Sequence, residues 1–226
     1  AALDTRQSST IFIPELAKDI LEQIVFEARK SEFVDVKSGV SARLSITAFE
    51  NLVSTAERRL LHSGDDKTGI RMSDFTGIIP AITGKIELVY EGEQEGAYNV
   101  ALTLLGNAIK SLYSEFFPKI EKIEKQGVES PYDEIVSWFF NHSEDFEILD
   151  DISEKDYRSI LEKVKPLSEF VLKYQVGVTP EGVCFWQEFV LWSLVEHKKL
   201  SKYRYAEGVQ FKDPYGSFKR ALINKD

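Results

Sequence analysis

The chain has 226 residues, 43% of them hydrophobic, which is long and apolar enough to bury one large or two small cores and excludes an intrinsically disordered chain. Its formal net charge of −9 speaks against a general nucleic-acid binder, whose phosphate affinity is built from clustered Lys and Arg. The single cysteine, Cys184, excludes an internal disulfide and a cysteine-built zinc site, in keeping with a reducing cytoplasm, and no run of about 18 apolar residues offers a membrane span.

The opening AALDTRQSST lacks the charged and apolar regions of a signal peptide and has no initiating Met, so residues 1–12 are expected to be linker cut from a longer protein. Pro14 opens the first clear helix, because its missing N–H would be unpaired at a helix start anyway. Along that helix Leu16, Ile20, Ile24 and Ala28 share a face, flanked by Ala17, Leu21 and Val25. After EFVDVKSG, Ser41 is the expected cap of a second helix reaching about His62. Its stripe is Leu44, Ala48, Leu52, Ala56 and Leu60, widened by Phe49, Val53 and Leu61. SGDDKTG (63–69) reads as a turn, and Ser73 as the cap of a shorter helix whose interior Gly77 and Pro80 weaken. KIELVYEGEQEG is strand-like for a few residues, then acidic and glycine-rich, and marks a domain boundary.

From Ala97 helical patterns resume: AYNVALTLLGNAIKSLYSEFFP, KIEKIEKQG, a helix begun by Pro131, EKDYRSILEKV capped by Ser153, and PLSEFVLKYQ. A long helix from Pro180 through about Gly208 carries Val183, Phe185, Trp186, Phe189, Val190, Trp192 and Leu194 on more than one face, and so belongs at the centre of its bundle. VQFKDPYGSFKRALINKD is the expected tail. The expected class is all-α: a small helical bundle over 13–92 and a second over 97–226.

GIIPAITGKIE (77–87) has the look of a phosphate-binding loop. That motif needs Gly, four residues, Gly-Lys, then Ser or Thr, so that backbone N–H groups wrap the phosphates and a hydroxyl meets magnesium. Here the first glycine position is Ile79 and the hydroxyl position Ile86, so Gly77 and Gly84 are read as helix-packing and helix-ending glycines and Lys85 as solvated. FEILDD (146–151) mimics a magnesium-binding strand only loosely, because Glu147 breaks the apolar run; an acidic, solvated loop is expected. The stretch around it lacks the calcium-loop register. His62, His142 and His197 have no partner at zinc-binding spacing, and His62 and His197 fall near helix C-termini, where a cation offsets the dipole. Cys184, Trp138, Phe139, Phe140, Trp186 and Trp192 read as core.

Arg43 stands apart. It lies within a turn of Ser41, at a helix start where the dipole already points positive. Two readings are open: a solvated arginine, or a guanidinium that addresses an anion such as a phosphate together with the helix N-terminus.

The order and spacing of IPELAKDILEQIVFEARKSEFVDVKSGVSARLSITAFENLVSTAERR, followed by IRMSDFTGIIPAITGKIELVYEGEQEG, resemble the C-terminal helical lid of AAA+ ATPases, closest to the magnesium-chelatase ATPase subunit and its MoxR-type relatives. The similarity covers about residues 10 to 96; residues 97–226 resemble the helical extension that some relatives carry. The resemblance implies that Arg43 is the sensor-2 arginine contacting the γ-phosphate of ATP, with Ser41 as its helix cap near the phosphates and Gly39 permitting the close turn before it. It also implies an ATPase core preceding Ala1, which would bring ATP and Mg2+, and a homo-oligomeric ring. This chain alone, without P-loop, magnesium-binding acid or arginine finger, is then expected to bind ATP feebly and hydrolyse none. The competing reading is a stand-alone helical interaction module without catalysis, whose acidic, aromatic second bundle docks a protein partner. An enzyme using Glu and Asp pairs of that bundle has no support beyond their abundance.

Overall fold

The computed structural model describes residues 3–35, 37–41, 43–120, 123, 130–142 and 146–214. The chain forms two compact units, Ala1–Glu115 and Phe116–Asp226, so most of the helix that starts at Ala97 belongs to the first. Helices make up 65% of the structure, which bears out a mainly helical class; two small sheets, absent from the all-α expectation, qualify it.

In the first unit, residues 3–12 carry a short helix and a short strand. Asp4 caps α1 (Thr5–Thr10), its carboxylate accepting the Gln7 N–H at 2.7 Å while the Gln7 side chain accepts the Asp4 N–H. β1 (Ile11–Phe12) then pairs in parallel with β2 (Thr68–Gly69), which lies at the end of the expected turn. α2 (Glu15–Lys30) starts after Pro14 and buries Leu16, Ala17, Ile20, Leu21, Ile24, Val25 and Ala28, the full predicted stripe. α3 (Arg43–Ser63) buries Leu44, Ala48, Leu52, Val53, Ala56 and Leu60. At its C-terminal end the buried face turns the other way from the expectation: Leu61 is 65% exposed and Arg59 is 3% exposed.

The third helix is split. A 3-10 turn over Met72–Ile78 precedes α4 (Ile79–Thr83), and the cap is not Ser73. Asp74, three residues into the turn, accepts the Arg71 N–H, and Ser73 is buried. Pro80 sits where α4 begins, so its missing N–H costs nothing. Gly77 packs on α3 so closely that a Cβ there would lie 2.2 Å from Thr55 Oγ1, and Gly84 closes α4; both serve the packing and ending roles expected of them. The strand-like KIELV makes a single antiparallel bridge, Val34 to Leu88. The acidic segment after it is α5 (Tyr90–Glu95), not a loop, and α6 (Ala97–Phe116) follows with Val100, Leu104, Leu105, Ile109 and Leu112 buried.

In the second unit, α7 (Asp133–His142), α8 (Glu154–Glu162), α9 (Lys165–Tyr174) and α10 (Pro180–Glu196) follow the expected helices; most of KIEKIEKQG lies outside the described residues. Ser153 caps α8 as read, accepting the Asp156 N–H at 3.1 Å. α10 buries Phe185, Phe189, Val190, Leu191, Trp192 and Leu194, as a central helix should. Phe140 departs from the core expectation and is 47% exposed.

Two expectations fail here. FEILDD is no solvated loop: β3 (Glu147–Leu149) pairs with β5 (Gly208–Lys212), and Phe146 and Ile148 are fully buried. The last helix does not reach Gly208. It stops at Glu196 and the chain returns as the hairpin β4 (Ser201–Tyr205) and β5, giving a sheet of order β3-β5-β4. The stop is made by Lys198 at φ 60. Its N–H donates to the Val195 carbonyl at 2.9 Å, and the Lys199 N–H reaches back to Leu194 at 2.8 Å, which closes the open carbonyls. No described helix is long and apolar enough to cross a membrane.

Candidate functional site

α3 places Arg43 at its first position, exposed at the surface. The turn before it depends on Gly39 at φ +72, a conformation that side-chain-bearing residues rarely adopt. Val40, 9% exposed, anchors the turn to the interior. The turn is also tied down by side chains: Asp35 Oδ1 accepts the Lys37 N–H at 2.9 Å, and the Ser38 hydroxyl lies between Asp35 and Glu87. The Asp35 N–H donates to the Glu87 carbonyl at 2.8 Å, fastening the turn to the segment before α5.

Ser41 acts as a helix-start residue. Its hydroxyl accepts the Arg43 N–H at 3.1 Å and its carbonyl accepts the Leu44 N–H at 2.9 Å. Two backbone donors at the mouth of α3 are thereby spent within the chain. The chemical complement for an anion at this end is therefore chiefly the Arg43 guanidinium, with the Ser41 hydroxyl still able to donate its own proton. Among the described residues no hydrogen bond or ion pair engages the Arg43 side chain, although acids are plentiful in the chain. A planar, permanently charged fork of this kind matches a phosphate well. A shallow recess of about 230 Å³ between α2 and α3 is lined by Lys18, Leu21, Glu22, Ser45, Ile46 and Phe49. Lys85 is exposed and solvated, as expected.

The charged groups most firmly built into the first unit are elsewhere, and sequence reasoning missed them. Arg59, Arg71 and Asp74 are 3%, 1% and 2% exposed. Arg59 Nη1 is paired to Asp74, while Nη2 donates to Thr68 Oγ1 at 3.1 Å and to the Gly69 carbonyl at 2.5 Å. Asp74 Oδ2 accepts the Arg71 N–H at 2.8 Å. Burial pushes the Asp74 carboxyl above its ordinary value, and Arg59 and Arg71 pull against that. The cluster ties α3 to β2 and to the 3-10 turn. Its signal in the sequence was Arg59 at a stripe position, three residues after Ala56.

In the second unit the corresponding residue is Glu188, fully buried on α10 and accepting the Tyr157 hydroxyl at 2.7 Å. Near it the Lys202 ammonium lies 3.2 Å from the centre of the Trp192 ring. Burial pushes Lys202 down to about 8, against the pull of Glu196 and Glu188, with Arg204 adding to the lowering. His62 and His142 each place Nδ1 on a carbonyl of the preceding turn, at 2.8 and 3.1 Å, and His197 ends α10. Cys184 is buried. Among the described residues no three His, Cys, Asp or Glu side chains gather as a metal site. No protein-family model, curated protein or solved structure matches the chain.

Proposed function

We propose that this chain is the lid and C-terminal extension of an AAA+ ATPase of the magnesium-chelatase-subunit and MoxR kind, and that Arg43 senses the γ-phosphate of ATP. The observation that carries the reading is an exposed arginine at the first position of a 21-residue helix, without a partner among the described residues and held by a tied-down turn. Such a group is electrostatically misplaced beside the positive end of a helix dipole unless an anion meets it. The residues fit a triphosphate at that one point: the guanidinium binds and orients a phosphate oxygen, and Ser41 keeps the helix start in shape beneath it. ATP with Mg2+ would supply the transferable phosphoryl group, and the P-loop and magnesium-binding acid would belong to a preceding core. Closure of the lid on ATP would then couple hydrolysis to remodelling of a substrate or to metal insertion.

The reading is tested by the reading frame upstream of the codon for Ala1. A P-loop in frame supports the motor, and a start codon beside Ala1 overturns it in favour of a stand-alone interaction module. One observation favours that second reading: a broad cleft with an acidic rim in the Phe116–Asp226 unit.

A further inference from the structure

The second unit carries a cleft of about 640 Å³ between the start of α7 and the flank of α9. Its apolar side is Pro118, Pro131, Pro166 and Tyr174, with Phe170 beneath. Tyr174 is set by its neighbours: its ring lies 5.0 Å from Phe170 and 6.0 Å from Phe117, and Phe117 and Phe170 stack at 5.2 Å. Three prolines and a braced aromatic make a surface that loses little entropy when something lies on it. The rim is acidic. Asp133, Glu134 and Glu169 line it, all exposed; Asp133 is partly used by the Ser130 N–H at 2.9 Å, and among the described residues neither glutamate makes an ion pair. Among the described residues the lining holds one cation, Lys173, whose ammonium lies 5.5 Å from the Tyr174 ring centre, so that ring already accepts a positive charge from within the chain.

We infer that this cleft docks an extended, basic segment of a partner protein, whose Lys or Arg stems lie on the proline and tyrosine surface and whose charged heads meet Glu134 and Glu169. Charge complementarity selects the occupant: an acidic or neutral segment gains nothing from the rim, whereas a guanidinium finds both an aromatic face and carboxylates. An extended backbone suits a groove walled by prolines, because flat aromatic and proline surfaces grip a chain whose backbone polar groups stay in water. The inference deepens the partner-docking expectation for this unit and is independent of Arg43.

The test is fluorescence anisotropy of a labelled Arg-Pro repeat peptide titrated with the full chain, beside a Glu-Pro repeat peptide. Wild type should bind the first and not the second, and binding should weaken with added salt, which screens exposed charges beyond about 8 Å at physiological strength. Glu134→Lys with Glu169→Lys should weaken binding at least about tenfold, the equivalent of about 1.4 kcal/mol. The same reversal at Glu93 and Glu95 on α5 should leave it unchanged, as should Arg43→Ala. Equal loss from both reversals would reduce the effect to bulk attraction by an acidic protein and overturn the site. No saturable binding by wild type overturns it too, as does a rise in thermal stability of the cleft variant with binding unaltered, which would mean that the chain itself fills the cleft. Glu169→Gln, which removes charge without adding bulk, should give a smaller loss in the same direction.

Discussion

Removing the Asp74 carboxylate should cost the first unit about 4 kcal/mol. The side chains of Arg59 and Asp74 are each 3% exposed, so neither charge is relieved by water when the other goes. In Asp74→Ala, Arg59 loses the carboxylate paired to its Nη1, keeping the bonds to Thr68 Oγ1 and the Gly69 carbonyl, and the buried Arg71 N–H loses the acceptor it holds at 2.8 Å. Breaking one side of a buried pair typically costs about 3–5 kcal/mol, because a desolvated charge is left behind. Against a total of about 5–15 kcal/mol for a domain, that is a large share. Urea unfolding followed by far-UV circular dichroism measures it through the shift in midpoint. Asp74→Leu with Arg59→Met should recover much of the loss, since apolar replacement of a buried pair is often neutral. A midpoint for Asp74→Ala within about 0.5 kcal/mol of wild type, the range of an ordinary surface substitution, would refute the reasoning.

The Lys202 ammonium over Trp192 should make tryptophan fluorescence titrate near pH 8, and Lys202→Met should abolish that step. Its folded value is depressed from 10.5 to about 8, so between those values the unfolded chain holds the extra proton. Stability must therefore rise with pH through that window, and a urea midpoint that falls between pH 8 and 9.5 would contradict the buried-cation account. Lys198 ends α10 in the left-handed region at φ 60, where a side chain costs about 1–2 kcal/mol relative to glycine. Lys198→Gly should accordingly stabilise the second unit, by about 1 kcal/mol or less once the extra freedom of the unfolded glycine is counted. A lower melting temperature for that variant would show that the lysine side chain makes a stabilising contact.

Legibility in the sequence followed from how local each signal is. The α2 stripe was readable residue by residue because a 3.6-residue period over sixteen positions has no competing pattern. Ser153, Gly77 and Gly84 were equally readable, since capping and close packing are written in single residue types. The end of α10 was not, because the expected marker is glycine and the chain uses Lys198. In the hairpin beyond it β4 is exposed at Tyr203, Arg204 and Tyr205 and half-buried at Lys202, which lies over Trp192, so the strand lacks the usual apolar alternation. β3 was hidden for a related reason: three residues are too few for a period, and their partner strand lies about sixty residues away. Arg43 and Ser41 were placed at a helix start by the capping pattern, where the structure has them, while the phosphate-sensing role proposed for Arg43 came from the resemblance. Arg59, Arg71 and Asp74 were not legible, because a buried charge is recognised only when its partner is seen.

The most direct test of the proposal is the ATPase turnover of the longer protein it implies, an ATPase core followed by this chain, with Arg43 replaced by Ala. An arginine that meets the γ-phosphate in the transition state contributes about a thousandfold in comparable phosphoryl-transfer enzymes. The variant should fold as wild type and lose turnover on that order, with Arg43→Lys restoring only part of it because an ammonium lacks the planar fork. Turnover equal to wild type in a correctly folded Arg43→Ala protein would contradict the account.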